Sequence, residues 1–114
     1  MTITERQVGP VTVLAISGKI SLDHAGQLKQ KVTSTLDHGH GQIVIDLGDV
    51  SHIDSSGLGE LVSCHTTALR QQGAIKLANL AKRSKDLLVM TKLIMVFAVY
   101  DTEAEAIAAF AEPA

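Results

Sequence analysis

The chain has 114 residues, of which 46% are hydrophobic and 3% aromatic, with no tryptophan. This length is typical of one domain with a single core, and that core must be built from aliphatic side chains. Ten basic and 12 acidic residues leave a formal net charge of −2, so no general electrostatic attraction to nucleic acid or to an anionic membrane is expected. The scarcity of aromatic rings also excludes base-stacking surfaces for single-stranded nucleic acid.

The cysteine content and the apolar runs indicate the cellular compartment of the protein. Cys64 is the only cysteine, so an intrachain disulfide and a cysteine-rich zinc site are excluded, and no neighbour in the sequence activates its thiol. The first residues lack the basic start and apolar run of a signal peptide. The longest apolar run, residues 93–100, is strand-sized and far short of the roughly 20 residues that span a bilayer. We expect a cytoplasmic protein without a membrane span, metal or cofactor.

The first third of the chain predicts a hairpin followed by a helix. Residues 3–8 and 11–16 are rich in β-branched side chains and flank a Gly-Pro turn, and residues 19–20 extend or resume the second strand. A helix capped by Ser21 or Asp23 is expected to run to about residue 37. Its apolar face recurs at helical spacing through Ala25, Leu28, Val32 and Leu36.

The rest of the chain alternates strands and helices. Strands are expected at residues 42–47, 74–79 and 94–100, with helices at 58–71 and 80–91 and a final helix after residue 102. Gly73 is expected as a helix C-cap, and Thr102 with Glu105 forms a capping box. Strands that alternate with helices predict an α/β fold with a mixed, largely parallel sheet.

The segment Asp54-Ser55-Ser56-Gly57 lies where a buried strand passes into a helix. One interpretation is a helix N-cap with a spare serine, because Asp and Ser are preferred caps. The other is a phosphorylation or partner site, since such a turn is exposed and rigidly held and a helix start favours an anion. Gly57 and Gly59 remove side chains from the first turn, which would let another molecule approach the backbone. Local chemistry leaves both interpretations open.

Catalytic and ligand-binding alternatives are weaker. The residue types of a serine hydrolase are present in His52, Asp54 and the two serines. The Gly-x-Ser-x-Gly motif of such enzymes is absent, however. Gly57-Leu58-Gly59 lacks the lysine of a phosphate-binding loop, which excludes a dedicated nucleotide hydrolase but leaves loose nucleotide binding open. His38 and His40 lie in a glycine-rich loop with too few ligands for a metal site. We therefore expect no enzymatic activity.

Other polar residues receive structural interpretations. Lys82, Arg83 and Lys85 are expected on a solvated helix face. His65 is interpreted as a core or boundary histidine. Asp46 ends a buried strand, where we expect it to accept bonds from N–H groups of the next turn and to brace the motif that follows.

Residues 44–59, Val-Ile-Asp-Leu-Gly-Asp-Val-Ser-His-Ile-Asp-Ser-Ser-Gly-Leu-Gly, resemble the signature of STAS domains, in particular bacterial anti-sigma factor antagonists. Residues 18–23, 73–79 and 99–106 resemble the family's element before its first helix, the strand after its second, and its C-terminal strand and helix. The resemblance covers nearly the whole chain. It implies a single STAS domain over residues 1–114, an α/β fold with a small mixed sheet and helices mainly on one face.

The resemblance implies partner switching as the function. The unphosphorylated protein would bind an anti-sigma factor, itself a serine kinase, and so release the sigma factor. Phosphorylation of the second motif serine, Ser56, would block that binding, and a PP2C-type phosphatase would reset it; Ser55 is the alternative acceptor. The protein would work as a monomer or weak homodimer. The implied partner surface comprises Ser21, Asp23, His24, Asp54, Ser55, Gly57 and Leu58.

The physical expectation for the switch is a local block. A phosphoryl group adds about −1.5 to −2 charges, which the start of a helix tolerates, so we expect little conformational change on phosphorylation. Lys92 stands where the family often has glycine, and we expect its backbone to avoid the left-handed region.

Two alternatives from other classes of function remain open. The chain could be a STAS-like interaction subunit of a lipid-transport ATPase or of a stress-signalling complex. It could also bind a nucleotide or another small ligand at the same helix start.

Overall fold

The sheet begins as an antiparallel hairpin and continues with parallel strands. The computed structural model describes residues 1–21, 23 and 26–111, and within them the strands are β1 (Thr2–Val8), β2 (Val11–Ile20), β3 (Gln42–Ile53), β4 (Ala74–Ala78) and β5 (Ala98–Tyr100). The helices are α1 (Gln27–Asp37), α2 (Ser55–Arg70), α3 (Lys82–Met90) and α4 (Glu103–Ala111), with a 3-10 turn at Leu93–Met95. The sheet order is β1-β2-β3-β4-β5, in which β1 pairs antiparallel with β2 and the three following pairs are parallel. The predicted α/β fold with a mixed sheet is confirmed.

Helices cover both faces of the sheet. Alternate residues of β2 point to opposite faces, so Leu14 and Ile16 enter one core while Val11 and Val13 enter another. The larger core receives buried side chains from three helices, namely Leu28 of α1, Leu61 of α2 and Leu88 of α3. The smaller core is closed by α4 through Ala106. Helices therefore lie mainly on one face, and the continuously apolar β3 is buried because both faces are covered.

Helix α1 starts later than predicted. Its N-cap is Gly26, with φ 86°, and it makes no side-chain cap of its own. The predicted cap at Ser21 or Asp23 is therefore wrong, because both residues precede the Gly26 N-cap of α1. The expected apolar face is right for Leu28, Val32 and Leu36, which are buried, while Ala25 lies outside the described residues.

Strand β3 is longer than predicted. It was expected to end at residue 47 but continues to Ile53, beside the C-terminal half of β2. Two register shifts allow the pairing to resume, with Gly18 opposite Val50 and Ile20 opposite Ile53. Gly48 and Asp49 interrupt the apolar run, so the pattern of hydrophobic residues does not predict that the strand continues beyond them. The extension carries β3 up to the start of α2.

The expected strand at residues 94–100 is mostly wrong. Only Ala98–Tyr100 pairs with β4, and the preceding residues form the 3-10 turn. Lys92 enters this turn with φ 64° and ψ 10°, so the expectation that it avoids the left-handed region is also wrong. The left-handed backbone of Lys92 is energetically unfavourable. The burial of Phe97 in the larger core offsets this cost.

The predicted C-cap of α2 at Gly73 is wrong, because the helix ends at the C-cap Gln71. Gln72 has φ 62°, and Gly73 does not take the left-handed conformation that was expected of it. Gly73 is required for another reason, since a Cβ atom there would lie 2.7 Å from the carbonyl oxygen of Gly41. The capping box of α4 is partly confirmed, because the Glu105 N–H donates to Thr102 Oγ1 at 3.1 Å. None of the helices in the described ranges is long and apolar enough to cross a membrane.

Candidate functional site

The start of α2 is capped by Asp54. The Asp54 backbone is extended, with φ −93° and ψ −179°, and its Oδ1 accepts from the Gly57 N–H at 2.8 Å. The Leu58 N–H closes the first turn on the Asp54 carbonyl at 2.9 Å. The predicted N-cap is therefore confirmed. With its carboxylate on the backbone, Asp54 is occupied as a structural group, which weakens the hydrolase alternative further.

The end of β2 holds the start of α2 in place. The Asp54 N–H donates to the Ile20 carbonyl at 3.2 Å, and a Cβ atom on Gly57 would lie 2.0 Å from the same oxygen. Gly57 is therefore glycine because β2 fills the space beside it. The expectation that it opens the backbone to another molecule is wrong for Gly57 and holds only for Gly59, which has open space where its side chain would be.

The two serines of the motif are exposed on the first turn of α2. In the described part of the chain, no acceptor is recorded for the N–H groups of Ser55 and Ser56, whereas that of Gly57 is capped by Asp54. Free N–H groups at a helix start favour an anion, so the fold can accept a phosphoryl group here. The backbone that carries Ser55 and Ser56 is held in place by β3, which precedes it, and by the end of β2, which packs against it.

The other residues of the expected partner surface divide by exposure. Ser21 is half-buried directly after Ile20, and Asp23 is exposed, so both lie in the segment that follows the end of β2. Gly57 is buried and Leu58 is 7% exposed, so neither offers much surface for contact. His24 lies outside the described residues.

A contact between α1 and α2 was not foreseen from the sequence. The Gly26 N–H donates to Glu60 Oε1, so a side chain of α2 provides the acceptor at the start of α1. The Lys29 ammonium donates to Ser63 Oγ at 2.6 Å one turn further along. Both pairs are 34 residues apart in the chain, and no local pattern marks them. They fix the start of α1 relative to α2.

Asp46 lies in β3 and does not contact the serine motif directly through its recorded hydrogen bonds. Its Oδ1 accepts from the Gly48 N–H at 2.9 Å, and its Oδ2 accepts from Asn79 Nδ2 at 3.1 Å. The expected bond to a following N–H is confirmed, but the residue braces the irregular part of β3 against the end of β4. Asn79 itself has φ 60°, a conformation that asparagine tolerates better than most residues.

Two further side chains with reactive groups, Cys64 and His65, pack within α2 against the larger core. Cys64 is fully buried, and desolvation raises the pKa of its thiol to about 12, which confirms that it is not activated. His65 is half-buried and packs edge-on against Phe97 with ring centroids 5.2 Å apart, as expected for a boundary histidine. No cluster of three or more potential metal ligands occurs within residues 1–21, 23 and 26–111.

The sequence of the chain is similar to a known family and to known proteins. The family model of the STAS domain matches residues 2–106. The Bordetella bronchiseptica protein BtrV, described as a candidate anti-sigma factor antagonist, is 27% identical over 111 residues that cover 96% of this chain and 95% of BtrV. The anti-sigma-B factor antagonist of Bacillus subtilis is 37% identical over 68 residues, which cover 60% of this chain and 62% of that protein.

Solved structures share the fold over nearly all of the chain. The crystal structure of TM1081 from Thermotoga maritima, described as a candidate anti-sigma factor antagonist, superposes with a TM-score of 0.90 at 25% identity and covers 96% of this chain and 95% of its own. The phosphorylated form of the Bacillus protein SpoIIAA gives a TM-score of 0.73 at 20% identity, with 96% and 99% covered. At that identity the second comparison concerns the fold alone.

Proposed function

The chain belongs to the STAS domain family, and from that premise we propose that it is an anti-sigma factor antagonist switched by phosphorylation of Ser56. The observation that carries the proposal is the exposed Ser56 on the first turn of α2, where the backbone N–H groups can accept an anion. Relatives described as anti-sigma factor antagonists support the general function. The protein acts in this proposal by binding and not by catalysis.

The unphosphorylated protein presents a polar, rigid surface to its partner. Ser55 and Ser56 lie on α2, while Ser21 and Asp23 follow the end of β2, which is packed against the same turn through Gly57. A rigid surface loses little conformational entropy on binding, which favours association with an anti-sigma factor. Binding of the anti-sigma factor then releases the sigma factor.

Phosphorylation blocks this surface without unfolding it. The phosphoryl group brings about −1.5 to −2 charges to the helix start, where the dipole and the free N–H groups offset them. The partner, fitted to two neutral hydroxyls, meets charge and bulk instead, and a buried unpaired charge is costly at an interface. In the proposal the anti-sigma factor is the kinase, and a PP2C-type phosphatase restores the hydroxyl.

Ser56 rather than Ser55 is the proposed acceptor. Ser55 directly follows the capping residue, whereas Ser56 is one residue further into the first turn and occupies the second serine position of the family motif. Phosphopeptide mapping of the protein from its own host separates the two, and modification of Ser55 alone contradicts the assignment.

Substitution of Ser56 tests the switch. Ser56→Asp is expected to weaken binding to the anti-sigma factor by about a hundredfold, because it leaves an unpaired charge at the interface. Ser56→Ala is expected to bind within about threefold of the wild type and to accept no phosphate. Calorimetric titration with the purified anti-sigma factor measures the affinity, and thermal denaturation measures the fold.

Ser55→Ala and Ser55→Asp are the matched controls. All four variants are expected to melt within about 3 °C of the wild type, because the changes are at exposed positions. Wild-type affinity of Ser56→Asp contradicts the switch, and its unfolding contradicts the local block. Recovery of an ATPase–permease complex from the host in place of a serine kinase supports the transport alternative.

A further inference from the structure

One buried ring nitrogen of α2 has no hydrogen-bond partner. His65 Nδ1 is buried, and no donor or acceptor is recorded for it within the described residues. The other ring nitrogen, Nε2, retains exposed surface, and the residue as a whole is half-buried. Buried polar atoms are normally hydrogen-bonded, so the unpaired Nδ1 requires an explanation.

The ring of His65 joins α2 to the segment that precedes β5. It packs edge-on against Phe97, with ring centroids 5.2 Å apart and an angle of 62° between the ring planes. Phe97 is 5% exposed, and its N–H donates to the Leu93 carbonyl at 3.2 Å, so it closes the 3-10 turn. Lys92 enters this turn in the left-handed conformation. The contact with His65 therefore helps to hold a strained segment, residues 92–97, against α2.

Protonation of His65 would create a buried donor without an acceptor. A neutral imidazole carries one proton, and with that proton on Nε2 the buried Nδ1 is an acceptor without a donor. Protonation of the ring adds an N–H group at Nδ1 together with a positive charge. A charged donor that is buried and unpaired costs more free energy than a neutral acceptor in the same place. The protonated ring is therefore more stable in solvent, away from Phe97.

The charges around His65 do not offset this cost. In the part of the chain that the structure describes, no hydrogen bond or ion pair of the ring is recorded. Charged residues of α1, α2 and the sheet are paired with other groups, namely Lys29, Asp46, Glu60 and Lys76. Arg70 and Lys92 are exposed, as are the charged residues of α3. The preceding Cys64 is a neutral thiol, because its pKa is raised to about 12.

We propose that His65 makes the packing of residues 92–97 against α2 depend on pH. The neutral ring packs on Phe97, whereas the protonated ring turns toward solvent and releases Phe97 together with the 3-10 turn. The contact stabilises the fold fully above about pH 7, and this stabilisation is lost as the pH falls through the usual titration range of histidine, near about 6.5. The proposal concerns the packing around α2 and does not rest on the phosphorylation of Ser56.

Hydrogen exchange measured by NMR tests the local opening. Between about pH 7.5 and 5.5 the protection factor of the Phe97 amide, which corrects for the intrinsic pH dependence of exchange, is expected to fall about tenfold in the wild type. In His65→Gln, whose side chain does not titrate, it should change by less than about twofold. His52→Gln is the matched control, because His52 is exposed and has no recorded hydrogen bond within the described residues. This control should keep the tenfold change.

Urea denaturation at the same two pH values gives a second measurement. On acidification the unfolding equilibrium constant of the wild type should rise at least about threefold more than that of His65→Gln, since the two proteins share every other titrating group. His65→Leu takes the place of this variant if glutamine disturbs the packing, and it should lose the same pH dependence. An equal pH response of the wild type and the His65 variants overturns the proposal. So does a wild type that gains stability in acid relative to them, because the imidazolium would then bind the Phe97 ring.

Discussion

Two glycines of α2 are glycine for opposite reasons. Gly57 is pressed against the backbone of β2, where a Cβ atom would lie 2.0 Å from the Ile20 oxygen and 2.7 Å from its carbonyl carbon. Backbone atoms cannot rotate away as a side chain can, so an added methyl group must move the strand or the helix. Gly59 has no atom within 4 Å of its Cβ position. Its only recognisable effect on stability is the low helix propensity of glycine.

Alanine substitutions at the two positions should therefore differ in sign. Gly57→Ala is expected to lower the free energy of unfolding by about 2 kcal/mol, while Gly59→Ala raises it by about 0.5–1 kcal/mol. Urea denaturation of both variants measures the difference. Equal effects, in either direction, would show that β2 and α2 are not in close contact and that Ile20 does not position the serines.

A helix can take its cap from a neighbouring helix. Helix α1 has Gly26 as its N-cap and no side-chain acceptor of its own, and Glu60 of α2 accepts from the Gly26 N–H. The carboxylate also lies at the positive end of the α1 dipole, which adds a charge interaction to the hydrogen bond. The start of α1 and the first turns of α2 are therefore one structural unit.

Substitution of Glu60 tests this unit. Glu60→Ala is expected to lower the free energy of unfolding by about 1 kcal/mol and to speed hydrogen exchange of the Gly26 amide. Glu60→Gln keeps an oxygen acceptor and removes the charge, so a smaller loss of about 0.5 kcal/mol is expected. Denaturation and NMR-detected exchange measure the two effects. An unchanged Gly26 exchange rate in Glu60→Ala argues against the cap.

At the scale of the whole molecule, the larger core joins every element that positions the site. Side chains of β2, β3, α1 and α2 meet in it, and Cys64 of α2 lies within it with no exposed surface. Burial raises the pKa of this thiol from 9.0 to about 12. Because the folded pKa is raised, the neutral thiol contributes its full stabilisation below about pH 9, and this contribution is lost as the pH rises toward 12.

The single thiol therefore reports global unfolding. At pH 8 the thiolate fraction of the folded protein is about a thousandfold smaller than that of the unfolded chain, given pKa values of about 12 and 9.0. Alkylation by iodoacetamide is expected to be negligible in buffer and rapid in denaturant, with a midpoint that coincides with the loss of circular dichroism. The Cys64→Ala variant controls for modification elsewhere. Rapid alkylation in buffer would mean that α2 opens without global unfolding.

Local patterns in the sequence were sufficient for much of the fold. Alternation of strands and helices predicted the α/β class, helical spacing predicted the buried residues Leu28, Val32 and Leu36, and residue preference predicted the Asp54 cap. These features depend on interactions within a few residues of the chain, so the sequence displays them directly. The assignment of the family came from a longer motif, residues 44–59, and the match over residues 2–106 bears it out.

Errors arose where residues distant in sequence meet. The end of β3 is determined by its pairing with β2 across two register shifts. The start of α1 is determined by the bond to Glu60, and the conformation of Lys92 by the packing of the 3-10 turn. Each overrides a local preference, because a packed contact or a ladder of hydrogen bonds outweighs the propensity of one residue. The serine motif was therefore legible in the sequence as a cap and a candidate switch. Only the tertiary structure decided that β2 fills the space beside Gly57 and that the space beside Gly59 is open, because both depend on packing between elements distant in the sequence.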